Sequence, residues 1–290
     1  VFTAVELIAV TQKVYQTKED QRLLWQKKVA QGNEWFEVQV VYVPLSRHHY
    51  SVMCIFNDVT EIKQLEVKQR EFMANASHEL KTPLTAIQGF SETLLAGALD
   101  DKKTARDFVQ IIFEQSQQLT ELIEDISALA HNKKTQELKL EQIKLKAFCE
   151  QILTSYLAQS KAKNLTLEVQ IPDDFEINCD IKYLQHIISN LIQNAIRYNV
   201  VDGKLKITAT SSANEWCLVV YNTGQTLANA DKERIYERFY RADKARSAEG
   251  SGLGLAIVKE AVEALSGQIV VTSPYKNGTK FTLTLPLFLT

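Results

Sequence analysis

Apolar positions at heptad spacing dominate the middle of the chain. Phe108, Ile112, Gln115, Leu119, Leu122, Ile126 and Leu129 step by four and three residues in turn, the period of a helix with one buried stripe. Ala76, Leu80, Leu84, Ile87, Ser91 and Leu94 form a second stripe, and Ile62, Leu65, Gln69 and Phe72 lead into it. The polar DDKK at 100–103 separates the two. Two long helices joined by a short loop predict an antiparallel hairpin. One hairpin leaves its apolar stripes uncovered, so the pattern predicts a second copy and a dimeric antiparallel four-helix bundle.

The flanks read differently. EWFEVQVVYVPL (34–45) and YSVMCIFNDVT (50–60) are β-rich runs joined by the polar SRHH, and they predict an antiparallel pair. In that joint His48 and His49 read as a polar turn, since no Cys or carboxylate stands near them at ligand spacing. HNKKTQEL (131–138) reads as a linker. Beyond it helices and short strands interleave. LKAFCEQILTSYLAQSKAKN and DIKYLQHIISNLIQNAIRYN are helical, LTLEVQIP, FEINCD, KLKITAT and WCLVVYN are strands, and LGLAIVKEAVEALSG is a helix capped at Gly267. QIVVTSPYKNGTKFTLTLPL predicts a hairpin turning at Asn277-Gly278. Adjacent strands favour a mixed sheet with helices on one face. The fold class is thus multidomain α+β. Its parts are an N-terminal module over 1–60, a helical hairpin over 61–131, a linker over 132–139 and an α/β sandwich over 140–290.

Composition narrows the function. At 290 residues the chain is too long for one core. Hydrophobic residues at 45% and charged residues at 23% exclude disorder. Lys plus Arg number 33 against 35 Asp plus Glu, so the basic excess of a nucleic-acid binder is missing. The four cysteines form no CxxC pair, which fits a reducing compartment rather than a zinc site or disulfide framework. No apolar run is long enough to cross a bilayer. The expected setting is the cytoplasmic portion of a bacterial protein, with any membrane anchor on an upstream segment.

Two regions carry chemistry. In SHELKTPLTAIQGF, His78 and Thr82 share a face at i, i+4, away from Leu80, Leu84 and Ile87. Pro83 removes a backbone donor there. The Glu79 carboxylate beside the imidazole can hold one ring N–H and make the other nitrogen a better nucleophile. The Thr82 hydroxyl one turn away can orient water. On the helix at 180–198, Asn190, Asn194 and Arg197 lie opposite an apolar face. Amide oxygens suit a hard cation such as Mg²⁺, and a guanidinium suits phosphate. EGSGLGLAI places Gly250, Gly252 and Gly254 before a helix, where backbone N–H groups favour anions. The preceding ERIYERFYRADKARS reads as a loop over phosphates, pinned by Phe239 and Tyr240 and carrying Arg238, Arg241, Lys244 and Arg246.

HELKTPLT resembles the phospho-acceptor box of two-component sensor histidine kinases. NLIQNAIRY, ERFYRAD and GSGLGLAI resemble the asparagine, phenylalanine and glycine boxes of their ATP domain. The resemblance implies a Bergerat-type α/β sandwich, ATP and Mg²⁺ as cofactors, a homodimer and a response regulator as partners. It makes His78 the acceptor of the γ-phosphoryl group, Glu79 its base and Thr82 the positioner of water for dephosphorylating the regulator. Asn194 is implied as the Mg²⁺ ligand, Tyr198 as an aromatic near adenine, Leu253 as part of the glycine box, and Thr279 as part of the closing strand pair. The adenine box departs from the family. Asn222, Thr223, Gly224, Gln225 and Thr226 stand where an Asp and a second Gly are usual. An amide can still accept from the adenine amino group, but the lost charge predicts weaker ATP binding. Thr226 stands where only Gly finds some backbone conformations easy.

FNDVTEIKQLE is similar to the closing strand of a PAS domain, which implies a partial PAS-like sensor module. The hairpin sequence looks most like phosphate-regulon sensor kinases of Gram-positive bacteria, with cell-wall sensors close behind. Two alternatives stand beside the kinase. A gyrase-type or MutL-type ATPase would carry a Glu base where Asn190 stands, and it leaves the acceptor box unexplained. A dimeric adaptor with a decayed ATP site has Asn222 and Thr226 in its favour.

Overall fold

The computed structural model describes residues 4–29, 32–46, 49–131, 138–242 and 250–287. It divides into two compact units, up to Asn75 and from Ala76. Most of the linker, together with His48, Lys244 and Arg246, lies outside the described residues.

In the first unit helix α1 (Ala4–Thr17) precedes strands β1 (Gln21–Val29), β2 (Gly32–Pro44) and β3 (Tyr50–Asp58), which form an antiparallel sheet in that order. The β2–β3 pair is the predicted one, in register from Phe36 opposite Asp58 to Pro44 opposite Tyr50. Val14 of α1 is buried with Val38 and Val40 of β2. His49 bonds Ser46 Oγ through Nδ1 at 3.2 Å, as a polar turn does. At the end of β3 the chain turns into helix α2 (Thr60–Leu95) through side-chain bonds. Asp58 Oδ1 accepts from the Thr60 N–H at 2.9 Å, and Thr60 Oγ1 accepts from the Trp35 N–H at 2.8 Å. The Thr60 hydrogen bonds hold the Asp58 carboxyl below its usual range. The DVT triplet thus fastens the start of the helix to β2.

In the second unit the hairpin consists of the rest of α2, a short turn with Ala98–Asp100 in 3-10 form, and helix α3 (Lys102–His131). The α3 stripe faces inward as predicted, with Leu122 and Leu129 buried. Phe90 and Phe108 pack across the hairpin with tilted rings, centroids 5.1 Å apart. The α2 stripe is only partly covered within the hairpin. Pro83 is buried while Leu84 is 55% exposed. Proline inside a helix lacks the N–H that would bond the preceding turn, and its ring is covered within the hairpin, whereas Leu84 belongs to the apolar area that one hairpin leaves uncovered.

The sandwich begins with β4 (Leu140–Lys144), helices α4 (Leu145–Ser155) and α5 (Leu157–Ala162), and strands β5 (Thr166–Gln170) and β6 (Glu176–Asp180). Helix α6 (Ile181–Arg197), strands β7 (Lys204–Ser211) and β8 (Glu215–Thr223), helix α7 (Gly254–Ala264) and the hairpin β9 (Gln268–Tyr275) and β10 (Gly278–Pro286) complete it. The main sheet runs β5-β7-β8-β10-β9, mixed as predicted, with only β5–β7 parallel, and β4–β6 is a separate antiparallel pair. Buried residues alternate along β7, β8 and β10 and pack with α4, α6 and α7 in one core. Seven apolar residues of α6 are buried, and each Leu and Ile among them is worth about 1.5–3 kcal/mol of transfer. Asp180 caps that helix, accepting from Lys182 N–H at 3.0 Å.

Two predicted turns move by a residue. Helix α7 ends before Gly267, and Ser266 takes the left-handed position at φ 56°. Gly267 is needed instead for space, because a Cβ there would meet Leu285 and the Thr284 carbonyl. The last hairpin turns on Lys276 and Asn277, with Lys276 at φ 49°.

Candidate nucleotide and phospho-acceptor site

His78 and Thr82 are both exposed on α2, one turn apart, and Glu79 is half-buried. Thr82 Oγ1 donates to the His78 carbonyl at 3.3 Å, so the hydroxyl is tied back to its own helix. The predicted shared face is therefore present.

On α6 the amphipathic pattern places Asn190, Asn194 and Arg197 half-buried, opposite Leu184, Ile188, Leu191 and Ala195 in the core. Asn190 Nδ2 donates to the His186 carbonyl at 2.9 Å, which turns its Oδ1 toward Gly254. A Cβ on Gly254 would strike that oxygen. A Cβ on Gly250 would strike the Arg197 guanidinium, and one on Gly252 would lie 2.9 Å from the Phe239 carbonyl carbon. The three glycines are thus where the asparagine helix, the phenylalanine segment and the glycine loop touch. Gly250 also has φ 99°, which a side chain would strain. Leu253 is fully buried under the loop.

The segment before the loop is more committed than the sequence implies. Phe239 is left-handed at φ 62° and donates its N–H to the Gly252 carbonyl at 3.0 Å. Tyr240 donates its hydroxyl to Asp231 at 2.6 Å, and Arg234 lies 4.2 Å over its ring. That hydrogen bond raises the Tyr240 pKa. Arg238 pairs with Glu260 of α7 at 2.6 Å. Arg241 lies at the edge of the described segment.

Asn222 of β8 and Thr279 of β10 are register partners, 3% and 5% exposed. Thr279 Oγ1 donates to the Gln225 carbonyl and shares a bond with Ser273 Oγ, each at 3.0 Å. Asn222 Nδ2 donates to the Thr223 carbonyl at 2.8 Å, which leaves Oδ1 as the acceptor the amide presents. Gly224 at φ 112° lies against the Tyr198 carbonyl, 2.5 Å from where a Cβ would stand. Tyr198 caps α6 and keeps its ring partly exposed. Thr226 is exposed and is not among the residues with positive φ, so the strain expected of a replaced glycine does not arise. Asn222→Asp would set a carboxylate against the Thr223 carbonyl in a buried place. It is expected to lower stability by about 1–3 kcal/mol, measured by denaturant unfolding without nucleotide. The same variant's ATP affinity measures what the missing charge costs in binding.

Sequence reasoning missed three supports. Asn199 is buried, with Oδ1 accepting from Thr223 Oγ1 at 2.7 Å and Nδ2 donating to Lys204 O at 3.2 Å. Ser273 holds the Leu227 N–H at 2.7 Å. Ser251 donates to Asp125 of α3 at 3.0 Å, so the glycine loop meets α3 rather than the turn bearing His78. Its place between two glycines was the one available signal. Burial pushes the Cys149 and Cys179 thiols up to about 12, which makes them inert core residues. The described residues contain no cluster of His, Cys, Asp and Glu able to hold a metal.

A helical hairpin with an exposed histidine and a sandwich of this topology match two known families. Residues 68–134 match the His Kinase A (phospho-acceptor) domain. Residues 179–289 match the family described as Histidine kinase-, DNA gyrase B-, and HSP90-like ATPase. Together, in this order, the two domains place the chain in the two-component sensor histidine kinase family. Sensor histidine kinase WalK of Bacillus subtilis is 30% identical over 268 residues, which cover 89% of this chain and 44% of that protein. WalK of Staphylococcus saprophyticus is 32% identical over 81% of this chain and 39% of its own length. The chain therefore spans less than half of these two relatives. Among solved structures, the Acinetobacter baumannii histidine kinase AdeS is 26% identical with a TM-score of 0.59, over 72% of this chain and 98% of that one. Histidine kinase ThkA, crystallised with the response regulator TrrA, shares the fold at TM-score 0.61 and 22% identity, over 98% of this chain and 83% of that one.

Proposed function

We propose that the chain phosphorylates His78 from ATP and passes the phosphoryl group to an aspartate of a response regulator. The observation that carries this is the exposed His78–Thr82 face on a helix that continues from a module at the N-terminus, with an ATPase-type domain following in the same chain. An imidazole nitrogen attacks the γ-phosphorus, the bond to the β,γ-bridging oxygen breaks, and ADP leaves. An aspartate carboxylate of the regulator then takes the phosphoryl group, and the imidazole is regenerated. Glu79 holds the imidazole proton, and Arg197 and the loop N–H groups face the phosphates.

Mg²⁺ fits the donor set, because an Asn194 amide oxygen plus phosphates and waters are hard oxygen ligands. When bound, it neutralises charge on the phosphates. Asn222 and Thr279 form the base end of the site, with Gly224 and Tyr198 at its edge. Phe239, Tyr240 and Arg241 form the phenylalanine-box side of the site, beside the glycine loop.

The hairpin leaves Val109 and Phe113, at 53% and 56% exposure, on its outer side with Leu84. Bare apolar area of this kind favours a second copy and a homodimer. Residues 1–60, a three-stranded sheet with one helix, are read as a partial PAS-like sensor module. Because ATP and the regulator are cytoplasmic molecules, so is this part of the protein. No described helix is long and apolar enough to cross a membrane.

The test is incubation with γ-labelled ATP and Mg²⁺. Acid-labile, alkali-stable label supports the proposal, and its absence contradicts it. Thr82→Ala is expected to slow dephosphorylation of the phosphorylated regulator by about 10-fold or more while autophosphorylation changes little. Equal losses in the two assays would assign Thr82 to the kinase step instead.

A further inference from the structure

The acidic face of α3 plays no part in the proposed chemistry, yet it meets the glycine loop. Ser251 Oγ donates to Asp125 Oδ2 at 3.0 Å while accepting from the Leu253 N–H at 3.3 Å. One turn earlier Glu121 accepts from Gln193 Nε2 of α6 at 3.5 Å. The Arg197 guanidinium packs on Gly250, and its charge acts on Asp125. A hydroxyl on a glycine loop and a guanidinium are donors that a phosphate also seeks.

We propose that Asp125 is an internal occupant of the phosphate end of the nucleotide site, so that docking of α3 through Asp125 and binding of the nucleotide phosphates exclude each other. The proposal rests on the ATP-site reading above and adds its regulation. Nucleotide would then free the ATP domain from α3, a step that must precede any approach to His78, because in the docked arrangement the loop faces Asp125.

The electrostatics make the contact displaceable. Burial raises the Asp125 pKa to about 6, outweighing the Ser251 hydrogen bond and the Arg197 charge, with Glu121 and Glu124 of its own helix adding to the rise. From the packed elements, Arg197 of α6 and Tyr156 between α4 and α5 interact with Asp125, and His186 of α6 interacts with neighbouring Glu124. A carboxyl whose pKa is raised on docking holds its proton more tightly in the docked state. Docking is therefore strongest at low pH and weakens as pH rises through about 6. Near neutrality the latch is weak enough for nucleotide to displace.

The experiment measures ADP and adenosine affinities of the whole chain and of Asp125→Asn, between about pH 5.5 and 7.5. The amide mimics the protonated acid. At the upper pH the variant is expected to bind ADP about fivefold more weakly than the parent. The parent should fall toward the variant as pH drops. ADP's terminal phosphate and His186 titrate alike in both proteins, so the difference between the two profiles is the result. Adenosine, which has no phosphate, should bind both equally. Equal ADP affinities at the upper pH, parallel profiles, or a matching loss for adenosine would each overturn the proposal. If ADP binds neither protein, the ATP-site reading fails with it.

Discussion

His78→Gln is expected to remove all acid-labile phosphate while the protein still binds ATP and keeps its oligomeric state. Rate loss should exceed about 10³-fold, because the variant lacks the only group assigned to accept the phosphoryl. The structural cost is small. His78 is exposed on the long helix α2, and Gln is a better helix former of similar size. Neither buried Pro83 nor the Phe90–Phe108 pair depends on it. Nucleotide affinity measured by titration and mass measured by light scattering should match the parent. Label retained on the variant would move the acceptor elsewhere. Loss of nucleotide binding along with label would show that the substitution had damaged the fold.

Asn194→Ala is the second large effect. Asn194 sits on the half-buried stripe of α6, and Ala is the best helix former, so the helix and its seven buried apolar residues should persist. What goes is the amide oxygen proposed for Mg²⁺. Turnover at saturating ATP is expected to drop about 10²-fold or more, since the metal carries charge stabilisation of the transferring phosphoryl. The Mg²⁺ dependence should move to higher concentration. An unchanged Mg²⁺ profile would assign the metal to other ligands.

The helical hairpin and the sandwich were legible because both rest on periodicity. The α3 stripe and the buried face of α6 follow from spacing alone, and the alternation along β7 and β8 from period two. Helix α1 and strand β1 were not legible as separate elements. QRLLWQKKV mixes its apolar and charged positions, and β1 takes its place only by pairing with β2. That Pro83 is buried within the hairpin was not legible, because a heptad count of apolar residues passes over proline. Lys276 and Ser266 misled because turns there use left-handed non-glycine residues.

The residue types of the nucleotide site were readable, but their reasons were not. The glycines of the loop serve close approach to Arg197, Phe239 and Asn190 as much as approach to phosphate. The orientation of Asn222 depends on the Thr223 carbonyl, which no spacing reveals. The contact between Ser251 and Asp125 joins residues 126 positions apart, beyond the reach of any local pattern.

The central claim is that His78 receives the γ-phosphoryl group. Its most direct test is to locate the phosphate by fragmentation mass spectrometry at alkaline pH, after incubation with ATP and Mg²⁺. The account predicts one modified peptide, spanning SHELKTPLT, with the phosphate on His78. Phosphate on any other residue, or none on a protein that binds ATP, would contradict it.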